Sequence, residues 1–228
     1  MQRLLLLLLF VFIQLNIVLA GPGGNIAKDL FKGPIGKFIA IPLVIIFLPW
    51  ILLSMYRTKK AASAVRRRLT EMAKVHPVLF DEISLKNRMT DVFTRVHKAW
   101  SERNLDDCEG YMTEWFRQNQ QIVYLDDWER RGMRNICSIR NINKIKPIHL
   151  RIVESEDFNG SRIVYAIEAN MEDYLAKIKD SSVLEGKKGF RDIETVWTLM
   201  LEGKTWKVDN IEQDDKVDDY TKMEKSMH

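Results

Sequence analysis

The chain has 228 residues and a net charge of +4, from 35 Lys and Arg residues against 31 Asp and Glu residues, and it contains only two cysteines. Cys108 and Cys137 lie far apart, without a CxxC motif or a flanking pair of histidines, so the sequence argues against a zinc site. The small net charge averages a basic cluster at residues 57–68 and an acidic segment at residues 212–219. Once the apolar N-terminal segments are set aside, about 170 residues remain, enough for one globular domain.

The first twenty residues have the layout of a secretory signal peptide. Arg3 supplies one positive charge, residues 4–13 form an apolar core, and small or apolar residues precede Gly21. Cleavage after Ala20 would leave a short external segment, residues 21–37. An uncleaved first membrane helix is the alternative, because this apolar stretch is just long enough to cross a bilayer.

Residues 38–56 carry no charge, which predicts a transmembrane helix. A helix of that length rises about 28 Å, close to the hydrocarbon thickness of a bilayer, and its two prolines are tolerated in membrane helices. The positive-inside rule places the chain from residue 57 onward in the cytoplasm, where both cysteines are expected to remain free thiols. The rule is applied to six cations that follow the run without an intervening acid: Arg57, Lys59, Lys60, Arg66, Arg67 and Arg68.

Residues 57–80 are predicted to form a basic connector. Small and apolar residues recur there at helical spacing, which indicates an amphipathic helix lying on the membrane surface; a solvated spacer helix fits the same pattern. Because the cations follow a membrane span, anionic lipid headgroups are a simpler partner for them than nucleic acid. His76-Pro77 interrupts the helix, since a residue before proline disfavours the helical conformation, and the folded domain is expected to begin at residue 81.

The domain, residues 81–213, is predicted to begin with helices. The apolar positions from Met89 to Trp100 share one face of a long helix that starts near Asp81. A second helical region spans residues 106–124, and a short third helix, residues 125–131, is expected to stop at Gly132.

The period of the apolar pattern then changes to two, which indicates strands. Two strands are predicted around residues 148–152 and 163–168, and two more at residues 196–201 and 206–211, joined by a tight hairpin at Glu202-Gly203-Lys204. Residues 177–191, rich in charge and glycine, are interpreted as an exposed loop, and residues 214–228 as an acidic flexible tail. Helices followed by an antiparallel sheet predict the α+β class.

Several of these landmarks resemble the Tim forty-four-like domain family, whose members include a mitochondrial inner-membrane translocase subunit, a mitochondrial large-ribosomal-subunit protein and bacterial relatives. The resemblance covers residues 81–213. It rests on hydrophobic landmarks: Ala99-Trp100 with Asn104-Leu105-Asp106, Tyr111-Met112-Thr113, Trp197-Thr198-Leu199 and Trp206-Lys207-Val208.

The resemblance implies a cone-shaped, nuclear-transport-factor-like fold, in which a strongly curved antiparallel sheet wraps on N-terminal helices around a pocket. The bacterial relatives also carry N-terminal membrane segments, which implies a single-pass protein of the bacterial inner membrane with its C-terminal domain in the cytoplasm.

The sequence predicts two groups of binding or packing residues. The six cations at residues 57–68 are the expected membrane-surface contacts. The second group consists of aromatic residues that would line a pocket or fill the core: Trp100, Tyr111, Trp115, Trp197 and Trp206.

No catalytic, cofactor-binding or metal-binding residue is predicted. His97 is expected at the helix surface, and His149 is expected to face away from the side that Ile148 and Leu150 bury. A basic region at residues 130–146 is interpreted as a solvated surface because acids are interspersed with its bases; RNA or phospholipid headgroups are the alternatives.

The predicted function is therefore a membrane-anchored, non-catalytic interaction module. It would bind membrane lipids and a protein partner at the membrane, in protein transport or membrane-protein assembly. The alternatives are a small-molecule-binding protein or an enzyme of the cone-shaped fold, and a membrane tether for a ribosome or RNA.

Overall fold

The computed structural model describes the backbone of residues 34–226 and the side chains of residues 45–226. The predicted signal peptide, residues 1–20, and residues 21–33 of the predicted external segment lie outside the described residues. The chain divides into two units, Met1–Tyr56 and Arg57–His228, which are considered separately.

The first unit contains the N-terminal part of helix α1 (Pro34–Val75). Large apolar side chains between residues 45 and 56 are exposed, with Ile46 at 66 %, Trp50 at 62 % and Met55 at 64 %. Over the part of the chain that the structure describes, no helix is both long enough and apolar enough to cross a membrane. The side chains of residues 38–44 lie outside the described part, and the span remains a prediction.

The second unit begins with residues of α1 that belong to the hydrophobic core. Ala61, Val65 and Leu69 recur every four residues on one face of the helix, and all three are buried. Val65 and Leu69 join the main core cluster. The predicted connector therefore differs from what is observed, because residues 57–80 are an integral part of the folded domain.

Helix α1 ends before His76, and the predicted break at His76-Pro77 is confirmed. Pro77 occupies the first position of a short helix, α2 (Pro77–Phe80), where its missing N–H costs no hydrogen bond. Helix α3 (Glu82–Glu102) follows, and the Asp81 side chain caps it by accepting a hydrogen bond from the Ser84 backbone N–H at 2.8 Å.

The remaining N-terminal helices are short. A 3₁₀ turn (Asp106–Cys108) precedes α4 (Glu114–Gln120), so the predicted second helical region is interrupted between them. Helix α4 continues through a π turn (Gln121–Leu125) into α5 (Asp126–Arg130). The predicted stop at Gly132 is confirmed, since its φ of +65° lies in the left-handed region that glycine adopts at little cost.

Four antiparallel strands form one sheet in the order β1-β2-β3-β4. Gly203 and Lys204 connect β3 to β4, and their φ angles of +56° and +66° are those of a two-residue turn that suits the twist of a hairpin. This sheet after helices confirms the α+β class. The strands are β1 (Met133–Arg151), β2 (Arg162–Lys177), β3 (Val183–Glu202) and β4 (Thr205–Gln213).

The predicted loop at residues 177–191 is too long, and this prediction is wrong for most of the segment. Only residues 178–182 connect the strands, because β3 pairs with β2 from Val183 onward. Gly186 sits in this ladder with a φ of +79°, and a Cβ added there would lie 2.8 Å from the Asp173 backbone oxygen. The pairing of β2 with β3 therefore depends on a glycine at this irregular position.

Both faces of the sheet are covered. The main core lies on the face that receives α3, where Phe93 packs against Trp197 with ring centroids 5.0 Å apart. On the opposite face, Val164, Val196 and their neighbours form a small second cluster under Tyr220.

Tyr220 belongs to helix α6 (Val217–Ser226), which follows a 3₁₀ turn (Asp214–Lys216). The prediction of a flexible tail is therefore wrong for the described residues of this segment. They form a 3₁₀ turn and helix α6, which packs on the sheet and buries Thr221 and Glu224.

Candidate functional site

Two of the five predicted aromatic residues are core residues. Trp197 is fully buried, and its indole Nε1 donates a hydrogen bond to Thr195 Oγ1 at 2.9 Å. Trp206 is also buried and donates from Nε1 to the Leu79 carbonyl at 2.8 Å. Both indole N–H groups are satisfied within the protein, so these side chains contribute packing rather than unpaired donors.

The other three aromatic residues are more accessible. Trp100 is partly buried against the core, and Tyr111 is stacked between the Arg88 and Arg95 guanidinium groups, 4.5 and 4.8 Å from its ring centre. Trp115 is 68 % exposed, so its assignment to a pocket or core is wrong. It lies on the outer side of α4, whose inner side buries Phe116. The structure therefore does not bring the five aromatics together in one pocket.

The six predicted membrane-surface cations separate into different environments. Arg57 is half-buried, whereas Lys59, Lys60 and Arg67 are exposed. Arg66 forms an ion pair with Glu82, with Nε 3.0 Å from Oε1. Arg68 points into the domain, where its side chain is only 21 % exposed, so its assignment to the membrane surface is wrong.

Arg68 belongs to a cluster at the outer edge of strand β1. Its Nη1 donates to Glu224 Oε1 at 3.0 Å and to the Leu150 carbonyl at 2.8 Å. The Leu150 backbone N–H donates to Glu224 Oε2 at 3.1 Å. His149 Nδ1 lies 3.0 Å from the same oxygen.

The prediction that His149 faces away from a side buried by both Ile148 and Leu150 is wrong. A register shift between Pro147 and His149 puts Leu150 in the main core and Ile148 in the second cluster, whose covering residue Tyr220 has its ring 6.0 Å from that of His149.

The cluster around Glu224 provides hydrogen-bond partners for backbone groups at the outer edge of strand β1. The outer N–H and C=O groups of an edge strand have no neighbouring strand and need other partners when they are buried. Glu224 from α6 and Arg68 from α1 supply those partners at Leu150. Since Glu224 is only 1 % exposed, α1, β1 and α6 are joined at one buried ionic contact.

The environment of Glu224 keeps it charged. Burial raises the pKa of its carboxyl, but the contacts with His149, the Leu150 N–H and Arg68 lower it by more, so that the pKa falls to about 2. The carboxylate is therefore ionised at every physiological pH.

Beside this cluster is a cavity of about 510 Å³ between residues 57–64 of α1 and residues 221–225 of α6. Ala61 and Ala64 give it small apolar walls, and its volume lies within the range of small-molecule sites. Four cations line it: Arg57, Lys60, Lys222 and Lys225. The lining also includes Glu224, whose carboxylate is engaged by Arg68 and the edge of β1.

His97 lines a second, smaller cavity of about 250 Å³ with Cys137 and four polar residues of α3. The expected surface position of His97 is wrong: the residue is buried, with its ring 4.3 Å from that of Phe93 and 5.2 Å from that of Trp197. The sheet encloses a wider sector of α3 than its apolar stripe indicates.

Neither His97 nor the two cysteines are activated for catalysis. Burial lowers the pKa of His97, and since the Phe93 carbonyl can only accept, the neutral ring donates to it from Nδ1 at 2.8 Å. Burial raises the pKa of Cys137 to about 12 and that of Cys108 to about 11, so both thiols stay protonated at neutral pH and are poor nucleophiles. Among the described residues, no group of three or more His, Cys, Asp or Glu side chains could hold a metal ion.

Sequence reasoning missed the contribution of α6 to the cationic cavity. The acids at residues 212–219 dominate the composition of the C-terminal segment and conceal the lysines that follow. A usable signal was present, since Val217, Tyr220, Thr221 and Glu224 recur at helical spacing.

Comparisons with known proteins add little to this geometry. No family model matches the chain, and no curated protein matches it. Among solved structures, a crystal structure of the intermembrane space region of the chloroplast protein ARC6 is similar, with 9 % identity and a TM-score of 0.42 over 58 % of this chain and 95 % of that chain. A likeness at this level carries no argument, and the resemblance to the Tim forty-four-like family remains a prediction.

Proposed function

We propose that this protein is a membrane-anchored, non-catalytic interaction module. Its folded domain binds lipid headgroups and a protein partner at the cytoplasmic face of a bacterial inner membrane, in protein transport or membrane-protein assembly. The proposal includes the transmembrane helix at residues 38–56 and a cone-shaped, nuclear-transport-factor-like form of the α+β domain.

The observation that carries the proposal is the short distance along the chain between the apolar run and the domain core. Ala61, the first buried residue of the second unit, comes five positions after Tyr56, the last residue of the predicted span. Five residues reach at most about 18 Å even when fully extended. A span ending at Tyr56 would thus hold the surface of the domain within that distance of the bilayer, where its effective concentration for membrane partners is high.

The chemistry of the cavities supports binding rather than catalysis. The described part of the chain gives His97 no neighbouring activated nucleophile, and both thiols have raised pKa values. The four cations at the α1–α6 cavity instead provide charge for holding an anion.

An RNA-binding role for residues 130–146 has less support. Arg130 and Arg131 both pair with Asp127, at 3.3 and 3.2 Å, and Lys144 pairs with Glu168 at 2.6 Å. These ion pairs reduce the positive field that attraction of a polyanion requires.

The test is membrane fractionation of the tagged full-length chain, followed by protease treatment of intact spheroplasts. The control is a version that starts at Arg57 and lacks the apolar run. We expect the full chain to resist extraction by alkaline carbonate and its C-terminal tag to survive external protease. Crosslinking in the membrane should then recover defined membrane proteins with the full chain and far less with the control.

A full chain that is released by carbonate would contradict the anchor. A C-terminal tag that external protease removes would contradict the topology. Recovery of ribosomes, in amounts that fall steeply with added salt, would favour the tether for a ribosome or RNA.

A further inference from the structure

We propose that the cavity between residues 57–64 of α1 and residues 221–225 of α6 binds a phosphate group, and that an anionic phospholipid headgroup supplies it. The assignment to lipid rests on the proposed membrane anchor. The phosphate chemistry rests on the cavity itself.

Positive charge lines the cavity from both helices. Arg57 and Lys60 approach it from α1, and Lys222 and Lys225 approach it from α6. In residues 45–226, none of the four forms an ion pair with a carboxylate, whereas Arg68, two turns further along α1, is paired with Glu224. An anion in the cavity would therefore meet uncompensated positive charge from two directions.

The fold positions these charges as two pairs, one on each helix. Each pair is spaced i, i+3, so its two side chains leave the same side of their helix, with Cβ atoms about 5–6 Å apart. Glu224 fixes α6 against the edge of β1 through Arg68 and the Leu150 N–H. Because Lys222 and Lys225 flank Glu224 along the chain, this buried contact also holds them beside α1. The cluster thus builds the cavity without using its four cations.

The arrangement of the cations favours an anion with several acceptor oxygens. Like charges at i, i+3 repel each other, and a ligand with several acceptor oxygens relieves that repulsion at both pairs. Phosphate has such oxygens, which suit the Arg57 fork and the point charges of the lysines. No aromatic side chain occurs in the described lining, so the cavity lacks the stacking surface that single-stranded nucleic acids use.

The position of the cavity and its apolar walls favour a lipid as the source of the phosphate. Arg57 directly follows the predicted span, so its side chain would lie at the depth of lipid headgroups. Ala61 and Ala64 give the cavity apolar walls that the glycerol and first acyl carbons can contact. A lipid brings this apolar part together with its phosphate, and inorganic phosphate does not.

The experiment uses the full chain in a non-ionic detergent and measures its melting temperature while soluble lipids are added. The probes are dihexanoyl phosphatidylglycerol, dihexanoyl phosphatidylcholine and inorganic phosphate. The test variant carries Lys222→Gln and Lys225→Gln. The control variant removes the same charge from exposed positions elsewhere, through Lys86→Gln and Lys179→Gln.

We expect phosphatidylglycerol to raise the melting temperature of the wild-type chain, and the other two probes to have much less effect. In the test variant, the apparent Kd for phosphatidylglycerol should rise about 10- to 30-fold, because each lysine near an anionic headgroup contributes substantially to binding. The control variant should bind like the wild type. Glutamine is a good helix former at the three helical positions, and Lys179 is exposed in the turn between β2 and β3, so both variants should melt like the wild type without ligand.

Two outcomes would overturn the anion site, and a third would overturn its lipid source. Equal losses in the test and control variants would show only a non-specific attraction to positive charge. If neither phosphatidylglycerol nor phosphate raised the melting temperature in a saturable way, the cavity would not be an anion site. Inorganic phosphate that binds as tightly as the lipid, with the same loss in the test variant, would overturn the lipid source alone. Because these assays use detergent, a failure of the membrane anchor would appear only in the fractionation experiment.

Discussion

Replacing Glu224 with Gln tests the buried ionic contact that joins α1, β1 and α6. The substitution preserves the size of the side chain and an oxygen that can accept from the Leu150 N–H, but it removes the charge facing Arg68 and His149. Arg68 is largely buried and would be left without a counter-charge, which is the costly way to break a buried ion pair.

The magnitude follows from the pKa of Glu224. A pKa lowered from 4.5 to about 2 corresponds to about 3 kcal/mol of folding stability at neutral pH, at about 1.4 kcal/mol for each tenfold change in acidity constant. Partial solvent access at Arg68 reduces this, so we expect Glu224→Gln to cost about 2–3 kcal/mol. For a domain of this size the melting temperature should fall by about 5–10 °C.

The sign of the pH dependence is specific. The folded-state pKa of Glu224 is lowered, so its stabilisation is complete above the unfolded value near 4.5 and is lost as the pH falls towards about 2. The wild type should therefore exceed Glu224→Gln in stability at pH 7, and the difference should shrink between pH 4.5 and pH 2. Other carboxylates with lowered pKa values titrate in both proteins, and so cancel in the difference.

The assay is thermal unfolding of the full chain in detergent, followed by near-ultraviolet circular dichroism between pH 2 and pH 7. Glu71→Gln is the matched control, because Glu71 pairs with Lys74 at 2.7 Å on the surface, with both side chains more than 60 % exposed. That control should change stability by less than about 0.5 kcal/mol. A Glu224→Gln loss no larger than the control, or one that persists unchanged at pH 2, would refute the reasoning.

Three further predictions concern the core, the sheet and the thiols. Trp197→Ala should cost about 3–5 kcal/mol in denaturant unfolding because it empties the centre of the core, whereas Trp115→Ala should cost less than about 1 kcal/mol; equal losses would contradict the assigned burial. Gly186→Ala should cost at least about 1 kcal/mol, because its φ is +79° and its Cβ would meet a backbone oxygen, and Gly110→Ala, which meets no atom within 4 Å, should not. Burial raises the pKa of Cys137 to about 12, so at pH 8 its thiolate fraction is at least about 100-fold below that of an unfolded cysteine; labelling with a thiol reagent should be correspondingly slow until denaturant is added, and fast labelling of the native protein would count against this burial.

Local interactions explain which elements could be predicted. The apolar stripe of α3 and its capping residue Asp81 are contained in one short segment, and the turn at Gly203-Lys204 depends on two residues. The loop prediction for residues 177–191 failed because charge and glycine are typical of loops, whereas the ladder between β2 and β3 depends on pairing across the sheet.

At the candidate site, local sequence patterns predict even less. Sequence spacing can place His97 only beside the apolar face of α3, and its burial follows from how far the sheet reaches around that helix. The lysines of α6 likewise gain a role only because the helix docks on the face of the sheet opposite α3. Such packing involves surfaces that are remote in sequence, so no local pattern contains it.

The sequence by itself determined that helices precede the four strands of the sheet, the uncharged run at residues 38–56 and the cations that follow it, because these depend on composition and short-range periodicity. Only the tertiary structure decided which of those cations remain available. Arg68 is taken up by Glu224, a partner 156 positions away, while Arg57 and Lys60 face a cavity with lysines of α6. An ion pair at that separation forms only when the packing of α1, β1 and α6 has already brought its charges together and removed them from water.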